Sequence, residues 1–241
     1  MGIIVPAVIP ASRQDLEDKL ARLSGLCEEV QIDIVDGVYA GPASWPYTKD
    51  AKDEPARMLE NGEMLPYAGS FRFEIDLMSR DPESVAGTWI ALGATRLTVH
   101  AESTPYLGQF LRDTRAKYGH EKDFAEGFLS LGIAIGAQTD LSLVEPYLDR
   151  IDYVQFMGIE TIGHQGEPFS ASVLPRIAAF RKQHPGMQIT VDGGVSGANA
   201  AALLAAGVSR LVVGSAIWKA PDPAQALREL TKLTETHGIY E

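Results

Sequence analysis

Apolar and polar residues alternate with a period of two along Glu29-Val30-Gln31-Ile32-Asp33-Ile34-Val35. Val30, Ile32 and Ile34 share one face, and Gln31, Asp33 and Val35 share the other, which predicts a β-strand. Asp36-Gly37 ends it with a turn signal. The second face is unusual, because an amide and a carboxylate side by side inside a globular protein must be used or carefully satisfied. Phe71-Arg72-Phe73-Glu74-Ile75-Asp76-Leu77-Met78 repeats the pattern, and Gln188-Ile189-Thr190-Val191-Asp192-Gly193-Gly194 ends a further strand in Asp. Three strands with Asp at or near their ends predict a polar site at one end of a sheet.

The same pattern places strands over 3–9, 95–100, 132–136, 151–157 and 210–213. Capping signals and helical spacing put helices between them. The first runs from Ser12 to about residue 26, followed by 52–61, then from Asp81-Pro82-Glu83 to near Gly93. Others cover 104–117 and 122–130 (split at Gly119), 141–148, 171–184, 196–206 and 223–237. After Gly37 comes an irregular stretch, long for a βα connection, in which Trp45, Pro46 and Tyr47 suit part of a lid. Residues 158–169 form a Gly-rich loop.

Short apolar strands alternating with helices are the mark of a parallel sheet covered on both faces. No low-complexity linker divides the chain. Eight such units in 241 residues predict a single (β/α)8 TIM barrel spanning 1–241. A doubly wound open sheet is disfavoured, since no Gly-x-Gly-x-x-Gly follows the first strand.

In such a barrel the site lies at the carboxyl ends of the strands. Gln31, Asp33, Asp76, His100 and Asp192 are therefore expected around one axis. Glycine-bearing turns follow the last three strands: Gly163-His164-Gln165-Gly166, Gly193-Gly194 and Gly214-Ser215. Glycine lets backbone N–H groups approach an anion closely, and barrels of this kind often hold phosphate after strands seven and eight. Met78 and Met157 are expected to line the pocket. His100 is either a substrate contact or a satisfied structural histidine, and Glu74 either a partner of Asp76 or a paired core carboxylate. Glu160 falls at the rim, and Asp36 reads as a turn-stabilising residue.

The formal net charge of −11 argues against nucleic acid as a partner, since phosphate contacts need clustered Lys and Arg. It also means that an anionic substrate must be held by backbone N–H groups and local positive ends rather than by bulk charge. With one cysteine, Cys27, no disulfide within the chain is possible, which fits a reducing, cytoplasmic setting. No charged-then-apolar leader and no apolar run of transmembrane length is present, so no membrane partner is expected.

These motifs together resemble the ribulose-phosphate 3-epimerase family. Pro6-Ala7-Val8-Ile9 stands where that family has Pro-Ser-Ile-Leu, and Val30 to Gly37 resembles its His-Val-Asp-Val-Met-Asp-Gly strand. Glu74-Ile75-Asp76-Leu77-Met78 resembles its Asp-Val-His-Leu-Met strand, and Thr98-Val99-His100-Ala101-Glu102 its fourth strand. Met157 with 163–169 resembles its Gly-rich phosphate loop. Val191-Asp192-Gly193-Gly194-Val195 and Val213-Gly214-Ser215-Ala216-Ile217 match closely.

The resemblance implies a sugar-phosphate isomerase that epimerises a ketopentose phosphate at C3. It implies proton transfer by Asp33 and Asp192, a divalent metal on the oxyanion, a homo-oligomer and a place in pentose phosphate metabolism. The family's metal ligands are two histidines and these two aspartates. Here Gln31 and Asp76 replace the histidines, Ala7 and Pro10 stand where the family has serines, and Val35 replaces a methionine.

Two accounts of the centre stay open. Gln31, Asp33, Asp76 and Asp192 form an all-oxygen site, suited to Mg²⁺ or Mn²⁺ over Zn²⁺; or the site holds no metal. Two alternatives to the epimerase also stay open. One is a related sugar-phosphate lyase or decarboxylase, against which Asp76-Leu77-Met78-Ser79-Arg80 offers no lysine. The other is a non-catalytic phosphosugar-binding protein.

Overall fold

Eight parallel strands close into a barrel in chain order. They are β1 (Ile3–Val8), β2 (Glu29–Val35), β3 (Arg72–Met78), β4 (Ala94–His100), β5 (Ser130–Ile135), β6 (Tyr153–Met157), β7 (Gln188–Asp192) and β8 (Arg210–Val213). The computed structural model describes residues 2–48, 50–119, 129–163 and 165–237. The helices α1 (Arg13–Leu23), α2 (Glu54–Glu60), α3 (Pro82–Ala91), α4 (Leu107–Tyr118), α5 (Val173–Gln183), α6 (Ala200–Ala205), α7 (Ser215–Trp218) and α8 (Pro223–His237) lie along the chain between and after the strands. Among the described residues no helix is long and apolar enough to cross a membrane.

The period-two pattern explains the layering. Val30, Ile32 and Ile34 of β2 face outward into one continuous apolar shell, which helix residues such as Leu16, Leu20 and Leu23 of α1 complete. Each such side chain contributes about 1.5–3 kcal/mol by burial. The opposite faces fill the barrel lumen, and most of that filling is polar. In its lower part Glu74 Oε2 lies 2.8 Å from Arg210 and 3.4 Å from Arg96. Thr98 links Glu74 to the Tyr153 hydroxyl. Gly132 of β5 has no side chain because a Cβ there would collide with the Tyr153 ring. Burial alone would raise the Glu74 carboxyl, but Arg96 and Arg210 outweigh it and hold it below the usual range. Glu74 is thus a paired core carboxylate, a base on which the functional layer rests.

Three expectations are corrected. No α-helix forms over 141–148; two short 3-10 turns, Leu141–Leu143 and Glu145–Tyr147, take its place. Pro146 lacks an N–H and disfavours helix at the residue before it, while the Asp140 side chain accepts from Ser142 N and commits the chain to a turn. Trp45 is no lid residue: it is fully buried, edge-on to Trp89 at 5.6 Å, with its indole N–H on Glu54. The helix expected over 196–206 begins only at Ala200, because Asn199 closes the preceding turn with bonds to Ser196 N and Gly194 O. The expectation over 122–130 lies outside the described residues except at 129 and at Ser130, which opens β5.

Candidate active site

The upper lumen collects the polar residues that the strand alternation set aside. β2 and β3 pair in register with Gln31 opposite Glu74 and Asp33 opposite Asp76. Asp192 ends β7 beside Met157 of β6. The register therefore carries Asp33, Asp76 and Asp192 to one level, where one oxygen of each lies within 4.8 Å of the others, all buried.

Gln31 binds two of them. Its Nε2 donates to Asp33 Oδ1 at 2.7 Å and to Asp192 Oδ2 at 2.8 Å. Asp76 is held from the other side: Gln155 Nε2 donates to Oδ2 at 2.8 Å, and His100 Nε2 lies 3.0 Å from Oδ1. Gln155 was not singled out in the sequence. The signal was there, in the alternation Tyr153-Val154-Gln155-Phe156-Met157, which sends Gln155 into the lumen.

Burial, then the neighbouring Asp192 and Asp76 charges, push the Asp33 carboxyl well above the ordinary aspartate value, against the opposing Gln31 bond. Burial and then Asp76 push Asp192 up to about 7. Like charges this close cannot all ionise in a low-dielectric site, so the group retains protons near neutrality or takes up a cation. The donor set fits a hard divalent cation. It is three carboxylates; the Gln31 carbonyl oxygen, a further hard donor, is buried with no hydrogen-bond partner, while its nitrogen faces Asp33 and Asp192. The bonds from Gln155 and His100 to Asp76 are of the kind that orient ligating carboxylates.

Asp33 and Asp192 also line a cavity with Met78, Met157, Gly163, Gln165, Gly166, Gly193, Gly194, Gly214 and Ser215. The expected phosphate-side residues thus converge, apart from His164, which lies outside the described residues. Gly194 needs its left-handed backbone, φ 67°, and a Cβ on it would stand 2.7 Å from the Phe169 backbone. A Cβ on Gly166 would collide with Lys219 Nζ, so the Lys219 ammonium lies against that turn. Lys219 was missed because it follows α7 with no pattern of its own. Glu167 lines the same cavity.

Asp36 lies outside this constellation. Its Oδ1 accepts from Val38 N and Tyr39 N and its Oδ2 from Arg80 N, so it ties the β2 and β3 loops together.

The model of the ribulose-phosphate 3 epimerase family matches residues 57–218. The chain is 28% identical to the chloroplastic ribulose-5-phosphate-3-epimerase of Arabidopsis thaliana over 94% of this chain and 75% of that protein. It is 25% identical to the ribulose-phosphate 3-epimerase of Bacillus subtilis (strain 168) over 94% of this chain and 97% of the relative. Among solved structures it resembles KGPDC from Streptococcus mutans, with a TM-score of 0.68, 13% identity and 99% of each chain covered. It also resembles 3-hexulose-6-phosphate synthase from Salmonella typhimurium, with a TM-score of 0.65, 14% identity, and 97% and 99% covered. On fold, motifs and family match together, the chain belongs to the ribulose-phosphate 3-epimerase family.

Proposed function

We propose that the protein epimerises a ketopentose phosphate, such as ribulose 5-phosphate, at C3. The observation that carries this reading is that Asp33 and Asp192 share the Gln31 amide and both line the glycine-walled cavity. The glycine turns, with backbone N–H groups near Gly193, Gly194, Gly214 and Ser215, hold the phosphate, and the Lys219 ammonium beside Gly166 adds one positive charge. The sugar then extends toward the two aspartates.

The ionised member of the pair takes the C3 proton. The electron pair of that C–H bond passes toward the ketone and forms an enediolate. The protonated member delivers its proton to the opposite face, which inverts C3. Running the reaction backward exchanges the two roles. A carboxyl poised near pH 7, as at Asp192, suits both halves.

Asp33, Asp76 and Asp192 would hold a divalent metal, Mg²⁺ or Mn²⁺ over Zn²⁺, since these donors are hard oxygens, and the unpartnered Gln31 carbonyl oxygen would join them once its amide turns away from the bonds its nitrogen makes to Asp33 and Asp192. When bound, such an ion stabilises the negative charge that develops on the substrate oxygen. Gln155 and His100 keep Asp76 in place.

The test is conversion of ribulose 5-phosphate to its C3 epimer, measured with EDTA and with added Mg²⁺ or Mn²⁺. Conversion that depends on either ion supports the reading. No conversion under any of these conditions overturns it.

A further inference from the structure

The cavity between the two aspartates and the glycine turns has a volume of about 40 Å³. Small-molecule sites span roughly 300–1,000 Å³, so a sugar phosphate enters only when part of the lining moves. Gln165 is the side chain that stands in its place. Gly214 has no side chain, and the room this leaves is what lets an anion approach the turn. Gln165 fills that room: a Cβ on Gly214 would collide with the Gln165 side-chain amide. A phosphate oxygen over Gly214 and the Gln165 amide cannot both be there.

The amide is fastened lightly. Its Nε2 donates to the Ala7 carbonyl, near the end of β1, at 3.2 Å, the long end of the range for such a bond. The same carbonyl accepts from Trp218 Nε1 at 2.7 Å, so it stays satisfied when Gln165 leaves. Gln165 is half-buried, and its freed amide exchanges the carbonyl for water, with no polar group orphaned. The two other glutamines of the site contrast with it. Gln31 and Gln155 are fully buried and donate to carboxylates at 2.7–2.8 Å, which fixes them in place.

We propose that Gln165 is a placeholder in the phosphate seat: its side-chain amide occupies the space over Gly214 until a phosphate displaces it, and so sets how tightly the site takes phosphate-bearing ligands. This rests on the proposed seating of phosphate in the glycine turns. The arriving dianion brings charged acceptors to the N–H groups of those turns and to the Lys219 ammonium beside Gly166. Such charge-assisted bonds are roughly twice as strong as the neutral bond that is broken. A sugar without phosphate offers no charged acceptor there and must compete with the amide unaided.

The test is calorimetric titration of inorganic phosphate into wild type, Gln165→Ala and Gln165→Met. Gln165→Ala empties the seat and should bind phosphate roughly threefold to tenfold tighter than wild type, the worth of one neutral hydrogen bond. Gln165→Met still spans Gly214 and should bind phosphate severalfold more weakly than Gln165→Ala. Gln165→Ser, equally short, repeats the measurement should the alanine variant not fold.

Weaker binding in Gln165→Ala would make the amide a phosphate ligand and overturn the proposal. Equal binding in wild type and Gln165→Ala, or no binding in any variant, overturns it too. Epimerisation of ribulose 5-phosphate is assayed in parallel. Its absence beside tighter phosphate binding in Gln165→Ala removes the epimerase and leaves the placeholder; its presence without that tightening removes the placeholder alone.

Discussion

The side-chain nitrogen of Gln31, on β2, lies 2.8 Å from Asp192 Oδ2, on β7, and so bridges the barrel lumen. Where the resembling family has a histidine, this chain has a neutral amide that donates to Asp192 and to Asp33 with one nitrogen. A donor between two crowded carboxylates lowers their repulsion without adding charge. Gln31→Leu keeps most of the volume and removes the donor. It should destabilise the metal-free protein at pH 8 by roughly 2–3 kcal/mol, read from urea denaturation. A loss within error of zero would show that the amide does not serve the aspartates.

The raised aspartates have a consequence for stability. A carboxyl whose folded value lies above its unfolded value binds protons more tightly in the native state. Its contribution is therefore full below about pH 4 and is lost as pH rises through the folded value, about 7 for Asp192. Asp192→Asn removes that loss. The variant should gain on wild type as pH rises from 4 to 8, by on the order of 2–4 kcal/mol at pH 8 without metal. Mn²⁺ should stabilise wild type and narrow the gap. Denaturation midpoints at several pH values read this directly, and a gap that does not change with pH would contradict it.

Lys219 gives a prediction of another kind. Its ammonium lies against the Gly166 turn, where the proposed function puts the phosphate, so it acts on the phosphate in the ground state and the transition state alike. Lys219→Ala should raise KM by roughly tenfold and leave kcat within about twofold, the pattern of lost uniform binding. A fall in kcat with unchanged KM would place the lysine elsewhere in the reaction.

The strand pattern carried most of the fold, because alternation in β2, β3 and β7 is imposed by a lumen that differs from the outer shell. It carried Asp33, Asp76 and Asp192 for the same reason. Their mutual distance was not legible, since it depends on the register between strands that are far apart in sequence. Gln155 was legible in principle from its own alternation. Lys219 was not, because its place against Gly166 follows from how α7 turns away from β8. The failed helix over 141–148 shows the limit of apolar spacing: Leu141, Val144 and Leu148 suit a helix, but Asp140 and Pro146 decide locally for turns. Trp45 misled through its setting, since an irregular Pro-flanked loop looks exposed and this one is packed against α3. His100 reads in the sequence as either a substrate contact or a structural histidine; its full burial and its bond to Asp76 give it the structural place.

The central claim is that Asp33 and Asp192 serve opposite faces of one carbon, and deuterium exchange at C3 of the two epimers tests it most directly. In D₂O with Mg²⁺ or Mn²⁺, wild type should epimerise either sugar phosphate and label C3. Each single variant, Asp33→Asn or Asp192→Asn, should lose epimerisation by about a thousandfold or more. Each should still exchange the C3 hydrogen of one epimer only, and the two variants should differ in which epimer that is. Exchange of both epimers by either variant, or epimerisation that survives both substitutions together, would contradict the account.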